Sequence, residues 1–371
     1  MSERSVAAAL EELSTSIPWD QAADWDVSGL TLGDPSQLVR TAGVCHEVTG
    51  EVVAAVEREP VDLLVTYHPL LFRPVRTVRA VSGPEGLAFR LIRLGVSLAV
   101  AHTAFDVCPG GTADSLAASL DLQETCGFGP LETAPQVKVV TFIPARYTKE
   151  VAEAMSSAGG GRIGNYRGCS YRTEGIGAFL PQAGSAPVVG VAEEENRVAE
   201  VRLEMIAPAA RQDAVVAALR KAHPYEEPAF DLYPVSANLP MVGRVGVLPD
   251  PLSGPELVDR VADVLDVEAV RCAGVKEAKM SKVAVLPGSG GSFLASAGAC
   301  GADVVVTADV SHHQMAQADQ LGIGVIDPGH AATEAPGVRR LLGLVAGVAP
   351  RIVDLTGLRP GPRVRVRRKT G

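Results

Sequence analysis

Asp62-Leu63-Leu64-Val65-Thr66-Tyr67-His68-Pro69-Leu70-Leu71-Phe72 is the stretch from which the fold can be read. Leu63 to Thr66 are apolar or β-favouring at consecutive positions. That marks a short strand covered on both faces, as in a parallel sheet. Tyr67, His68 and Pro69 follow, and proline has no N–H to offer a ladder, so the strand ends there. His68 therefore stands at the carboxyl end of a buried strand, where open α/β sheets hold their ligands. A single histidine in that place is ordinary structure; its meaning depends on its company.

The company lies far along the chain. Asp303-Val-Val-Val-Thr307 repeats the pattern of Asp62-Leu-Leu-Val-Thr66, and each is followed by polar residues and histidine. Leu94-Gly95-Val96 leads through apolar residues to His102, with Asp106 four positions on. Leu321-Gly322-Ile323 leads in the same way to His330, with Glu334 four positions on. The pattern is a weak internal duplication, two similar α/β halves. Halves that face each other bring His68, Asp106, His330 and Glu334 together. Imidazole with carboxylate is ligand chemistry for a divalent transition metal. If a helix begins at His330, its side chain and that of Glu334 share one face. A helix start with a chance histidine explains either pair alone; the parallel between the pairs favours a site.

Composition sets the limits. At 371 residues the chain has room for two or three domains. With 47% hydrophobic and 21% charged residues it can bury a sizeable core. A net charge of -9 argues against nucleic acid as the main partner. No apolar run approaches the ~20 residues of a membrane span. The opening MSERSVAAALEELS lacks a signal-peptide layout. The 6 cysteines form no C-x-x-C pair and suit reduced thiols in a cytoplasmic protein.

In chain order, helices are expected over Val6–Leu13, from the N-cap Thr49 to Glu57, over Pro84–Leu94, and over Ala113–Leu120 capped by Thr112. Strands are expected at Ala42–Val48, at the Asp62 run and at Val96–Ala101. This is β-α alternation and predicts a mainly parallel α/β sheet in a first half at 1–135. The rhythm then changes. Val137–Ile143, Lys149–Ala158, Gly175–Phe179, Val198–Ile206, Ala209–Ala222 and the end of His223–Val235 read β-α-β-β-α-β. That is the order of a ferredoxin-like unit, an insert at 136–236. The α/β chain resumes at 237–371 with Gly243–Leu248, Pro255–Leu265 and Lys282–Leu286. Pro287-Gly-Ser-Gly-Gly-Ser292 follows the last of these and resembles an anion-cradling loop, without the lysine of a P-loop. The basic tail from Arg359 is expected to be a solvated end.

At this point the sequence resembles the dinuclear metal-centre hexameric proteins, also called GTP cyclohydrolase 1 type 2 homologues or Nif-three-like proteins. The matching stretches are WDVSGLTLGD, VDLLVTYHPLLF, AHTAFDVCPGG, GRIGNYRGCSYRTEG, HPYEEPAFDLYP, LPGSGGS, GADVVVTADVSHH and IDPGHAATE. The resemblance covers nearly the whole chain. It implies an α/β core split by an insert like that of PII or CutA proteins. It also implies a ring-shaped homo-hexamer, a trimer of dimers, with paired metals facing an internal cavity. By position the implied ligands are His68, Asp106, His330 and Glu334, with zinc, iron or manganese as the divalent ion.

One departure changes the chemistry. The family has two consecutive histidines where this chain has Tyr67-His68. A neutral phenol with pKa about 10 is a poor ligand unless a metal drives its deprotonation. One metal, or a pair with Tyr67 beside an open position, are both compatible with the sequence. WDVSGL and Glu47 are further departures. Tyr67 and His102 are candidate catalytic or substrate-contacting residues, and His312-His313 falls near the expected cavity. In HPYEEP, Glu226 and Glu227 read as solvated carboxylates of an edge strand. The functional expectation is metal-dependent, hydrolase-like chemistry on a small molecule. A non-catalytic metal-binding regulatory or metal-handling protein, and a retooled enzyme of specialised metabolism, are the alternatives.

Overall fold

Leu63–Thr66 is a strand buried at every position, and its neighbours explain why. It lies between Thr41–Cys45 and Ser97–Val100, parallel to both. Arg351–Asp354 pairs parallel on the far side of Thr41–Cys45, and Gly29–Leu32 closes the other edge antiparallel. This five-stranded sheet belongs to the computed structural model of the protein, which describes residues 3–132, 135–163, 166–185, 188–235 and 239–358. The basic tail lies outside the described residues. Leu63 and Val65 pack into one cluster with Val44, Ala99, Phe105 and Leu341, while Leu64 and Leu98 turn to another with Val52, Val56 and Leu91. Apolar residues face both ways, as the continuous apolar run required.

Local signals place the helices. Thr49 caps Gly50–Arg58 by accepting the Val52 N–H at 3.2 Å. Pro84 opens Pro84–Arg93 in the first turn, where its missing N–H costs nothing. Thr112 does not cap Thr112–Ser119. Gly111 holds that position, and the Thr112 hydroxyl is donated to Asp106.

The second half repeats the arrangement. Met280–Ser289, Val304–Ala308 and Gly324–Asp327 lie side by side and parallel. Antiparallel strands extend this sheet to six: Arg271–Ala273 on one side, Met241–Leu252 and then Gln123–Pro130 on the other. The strand Gln123–Pro130 had no counterpart in the sequence reading, because its glycines and proline look like breakers. The fold is thus mixed α/β, with four parallel strands in one sheet and three in the other.

The chain divides into two compact units, Met1–Thr133 with Leu239–Gly371, and Ala134–Asn238. The second unit has the element order β-α-β-β-α-β. Its antiparallel sheet runs Phe230–Val235, Gln136–Pro144, Asn196–Pro208, Tyr171–Phe179. Helices Thr148–Ser157 and Gln212–Ala222 supply Val151, Met155, Val215 and Leu219 to a core with Val139, Ile143, Leu203 and Met205. Among the described residues no helix is long and apolar enough to cross a membrane.

Candidate metal centre

Three adjacent parallel strands each end in a histidine. His46 follows Thr41–Cys45, Tyr67 and His68 follow Leu63–Thr66, and His102 comes two residues after Ser97–Val100. The ladder continues past the strands: Tyr67 N–H donates to Cys45 O at 3.1 Å, His68 N–H to His46 O at 2.9 Å, and His102 N–H to Tyr67 O at 3.0 Å. The imidazoles are held in a row for that reason. The other half contributes a helix, His330–Val345, entered through Gly329 at φ 99. That positive φ suits glycine and turns the chain from strand into helix.

The rows meet at Glu334, which is 2% exposed. Its Oε2 lies 2.6 Å from His46 Nε2 and 3.0 Å from His68 Nε2, and its Oε1 lies 2.9 Å from His330 Nε2. An ionised carboxylate only accepts, so each ring presents Nε2–H to it. Burying an unpaired carboxylate costs several kcal/mol. Three hydrogen bonds to a charge, at about 1.5–3 kcal/mol each, offset that cost. Burial pushes the Glu334 pKa up, but the bonds from His330, His46 and His68 outweigh it and hold the carboxyl well below its usual range. Its bond to Glu334 raises His330 to about 9, against burial and with help from Asp309.

Further groups brace the rings. His330 Nδ1 meets Asp309 Oδ2 at 2.6 Å, so with Glu334 at Nε2 its ring is held at both nitrogens. His46 has no such second partner among the described residues: its Nδ1 is buried without a hydrogen bond, and its ring stacks on Tyr67 at 5.7 Å and 11°. The glycine loop after Met280–Ser289 has a packing role. A Cβ on Gly288, at φ +67, would lie 2.8 Å from Glu334 Oε1 and 3.4 Å from the His330 ring. Glycine there lets the backbone approach the carboxylate.

His46, His68 and Glu334 offer ligand atoms all within 4.8 Å of one another and can hold a metal ion. The set fits in chemistry as well. Imidazole nitrogen and carboxylate oxygen suit zinc, iron or manganese. Ligands at about 2.0–2.2 Å from a tetrahedral ion are about 3.3–3.6 Å apart, wider than the hydrogen bonds of 2.6 and 3.0 Å from His46 and His68 to Glu334, so an ion there would replace their two Nε2 protons and spread the groups.

The sequence singled out His68, Asp106, His330 and Glu334. Three of these converge, and His46 joins them. Asp106 is wired differently: its Oδ1 accepts the Tyr67 hydroxyl at 2.6 Å and also the Thr112 hydroxyl. Burial and the neighbouring Asp106 carboxylate push the Tyr67 phenol well above its usual pKa, so it stays a donor. His102 Nδ1 pairs with Asp26 Oδ1 at 2.7 Å, not with Asp106. Asp26 Oδ2 accepts the Thr103 N–H at 3.1 Å and its hydroxyl. Burial raises the Asp26 pKa, but His102 and Thr103 outweigh it and bring the group to about 2. His102 has φ 25, a sparsely populated conformation for a residue with a Cβ. His312 and His313 sit exposed on the helix His312–Gln320 and do not line the cavity described next.

A cavity of about 1030 Å³ opens over the cluster. His46, His68, His102 and His330 line it beside Trp25, Phe72 and Arg271. Glu47 reaches its wall, whereas Tyr67, 2% exposed, does not. Trp25 packs edge-on against both Phe72, at 5.9 Å, and His102, at 6.1 Å.

Parallel strands that aim histidines at one buried carboxylate define an α/β protein with a candidate metal centre. The chain belongs to the Duf34/NIF3 (NGG1p interacting factor 3) family, whose model matches residues 3–354. Over 318 residues, 85% of each chain, it is 37% identical to the GTP cyclohydrolase 1 type 2 homolog of Bacillus subtilis. Over 343 residues, 89% of this chain and 88% of the relative, it is 39% identical to the protein of the same name from Mycobacterium tuberculosis. The crystal structure of a Bacillus cereus protein related to NIF3 is similar with a TM-score of 0.68 and 32% identity, covering 99% of this chain and 100% of that one.

Proposed function

We propose that this protein is a metal-dependent hydrolase acting on a small molecule bound in the cavity over Glu334. The observation that carries the reading is the convergence of three imidazole Nε2 atoms on the two oxygens of one buried carboxylate, with all three histidines lining the cavity. His46, His68 and Glu334 would hold a divalent ion, which would supply Lewis acidity and lower the pKa of a water. His102 then has a defined task. With Nδ1–H donated to ionised Asp26, its Nε2 is the basic atom and takes a proton from a molecule in the cavity. Trp25 and Phe72 offer ring faces for a flat substrate. Arg271 also lines the cavity, its Nη1 3.3 Å from Asp327 Oδ2, and offers positive charge to an anionic group.

The name shared by the relatives makes GTP the first substrate to try. A homo-hexameric assembly is part of the proposal, and light scattering of the purified protein tests it. The deciding experiment measures zinc, iron and manganese content, then hydrolysis of GTP and of other ring-bearing phosphates and amides by chelator-treated and reloaded protein. The reading predicts bound metal and turnover that chelation removes and reloading restores. Bound metal with no turnover across the panel would favour the regulatory or metal-handling alternative.

A further inference from the structure

We infer that Tyr67 and Asp106 form a closed hydrogen-bonded pair outside the metal's coordination, so that each chain holds one ion at His46, His68 and Glu334. The inference rests on the metal-site reading above and concerns how many ions that site takes. It departs from the paired metals implied by the sequence resemblance.

The geometry separates the two carboxylates. Glu334 is surrounded by imidazoles, whereas Asp106 is engaged by hydroxyls from Tyr67 and Thr112. Asp106 Oδ1 accepts both hydroxyls, so only Oδ2 is left to a metal; turning Oδ1 to one would strand a phenol that is 2% exposed and a threonine that is 0% exposed. Neither has another acceptor among the bonds seen here, and an unmet buried donor is costly. Distance points the same way. Ligands at about 2.0–2.2 Å from one ion lie within about 4.4 Å of each other. The ligand atoms of His46, His68 and Glu334 lie within 4.8 Å of one another, a little beyond that condition, and neither oxygen of Asp106 joins their group.

His46 completes the argument, because it brings an imidazole to the place where Tyr67 brings none. Cys45 and Thr66 are register partners in the parallel pair, so His46 and Tyr67 leave adjacent strand ends together. Their rings stack, yet their polar atoms go to different carboxylates, His46 Nε2 to Glu334 and the Tyr67 hydroxyl to Asp106. The stack separates a ring bonded to the imidazole-bearing carboxylate from one bonded to the hydroxyl-bearing carboxylate. His330, on the other oxygen of Glu334, keeps that carboxylate oriented.

The test is zinc titration of chelator-stripped, full-length protein, read as ions per chain and as affinity. Wild type should take one ion. Asp106→Asn keeps an oxygen that accepts from both hydroxyls, and should retain one ion with affinity within about threefold. His46→Ala should lose at least about tenfold in affinity. Tyr67→His, if it folds by near-ultraviolet circular dichroism, should move toward two ions. Two ions per wild-type chain, or a tenfold loss in Asp106→Asn, would overturn the inference and leave the metal-site reading standing. No zinc bound by wild type at all would overturn both.

Discussion

The two halves of the first unit carry the same pair at the same spacing, His102 with Asp106 and His330 with Glu334, and they wire it differently. Each histidine begins a helix, His102–Val107 in one half and His330–Val345 in the other. In the second half histidine and carboxylate bond to each other, and Asp309 braces the ring. In the first half Asp26 takes His102, while Tyr67 and Thr112 take Asp106. Spacing by four puts two side chains on one helical face. Whether they pair is settled by what neighbouring strand ends and loops bring to that face. The second half kept its carboxylate for imidazoles; the first half spent its carboxylate on hydroxyls.

That asymmetry can be broken or sharpened by substitution. The largest effect is expected from Glu334→Gln, which removes the charge that three imidazoles share. Zinc affinity should fall by roughly 100-fold or more, whereas Asp106→Asn should bind nearly as wild type. Gly288→Ala comes next. A methyl group 2.8 Å from Glu334 Oε1, on a residue at φ +67, must displace the carboxylate or the loop. We expect metal affinity down about tenfold and stability down about 1–2 kcal/mol by denaturant titration.

Asp26→Asn addresses the first half directly. Metal content should be unchanged while turnover of any substrate found falls by roughly 10–100-fold, since His102 loses the charge that orients it. The same variant alters acid stability. Asp26 falls from 3.8 to about 2 on folding, so its stabilisation is present above about pH 3.8 and lost as pH drops through about 2. Unfolding monitored by circular dichroism should show that part of the acid limb disappear in the variant. The smallest effect lies in the second unit. His223 donates Nε2–H to Phe142 O at 3.0 Å and accepts the Tyr225 N–H at Nδ1, so its neutral ring is a backbone brace. Burial lowers its pKa below 6.5, so its contribution is present above that pH and lost as pH falls below it. His223→Gln should flatten stability against pH in that window, by tenths of a kcal/mol to about 1 kcal/mol, and leave metal content untouched.

Much of the framework was legible because it rests on one-dimensional signals. Leu63–Thr66 and Val304–Ala308 are apolar runs bounded by polar strand ends, and Thr49 and Pro84 mark helix starts by local chemistry. His46 escaped because Ala42–Val48 reads as one strand, which hides where the strand stops. Thr49 as a cap is compatible with that reading, so nothing local ends the strand at Cys45, and the register that sets His46 beside Tyr67 is a tertiary feature. Asp26 was visible only as part of a motif; nothing local says that it will capture His102, since that contact spans 76 positions. Thr112 looked like a helix cap because its hydroxyl had no other evident partner in sequence. The rotamer that sends it to Asp106 is a tertiary choice.

The most direct measurement is anomalous diffraction from crystals of zinc-loaded protein at the zinc edge. The account predicts one peak per chain, within about 2.0–2.2 Å of nitrogens of His46 and His68 and an oxygen of Glu334, with Asp106 still accepting from Tyr67. A peak on Asp106, two peaks of comparable height, or no peak near Glu334 would contradict it.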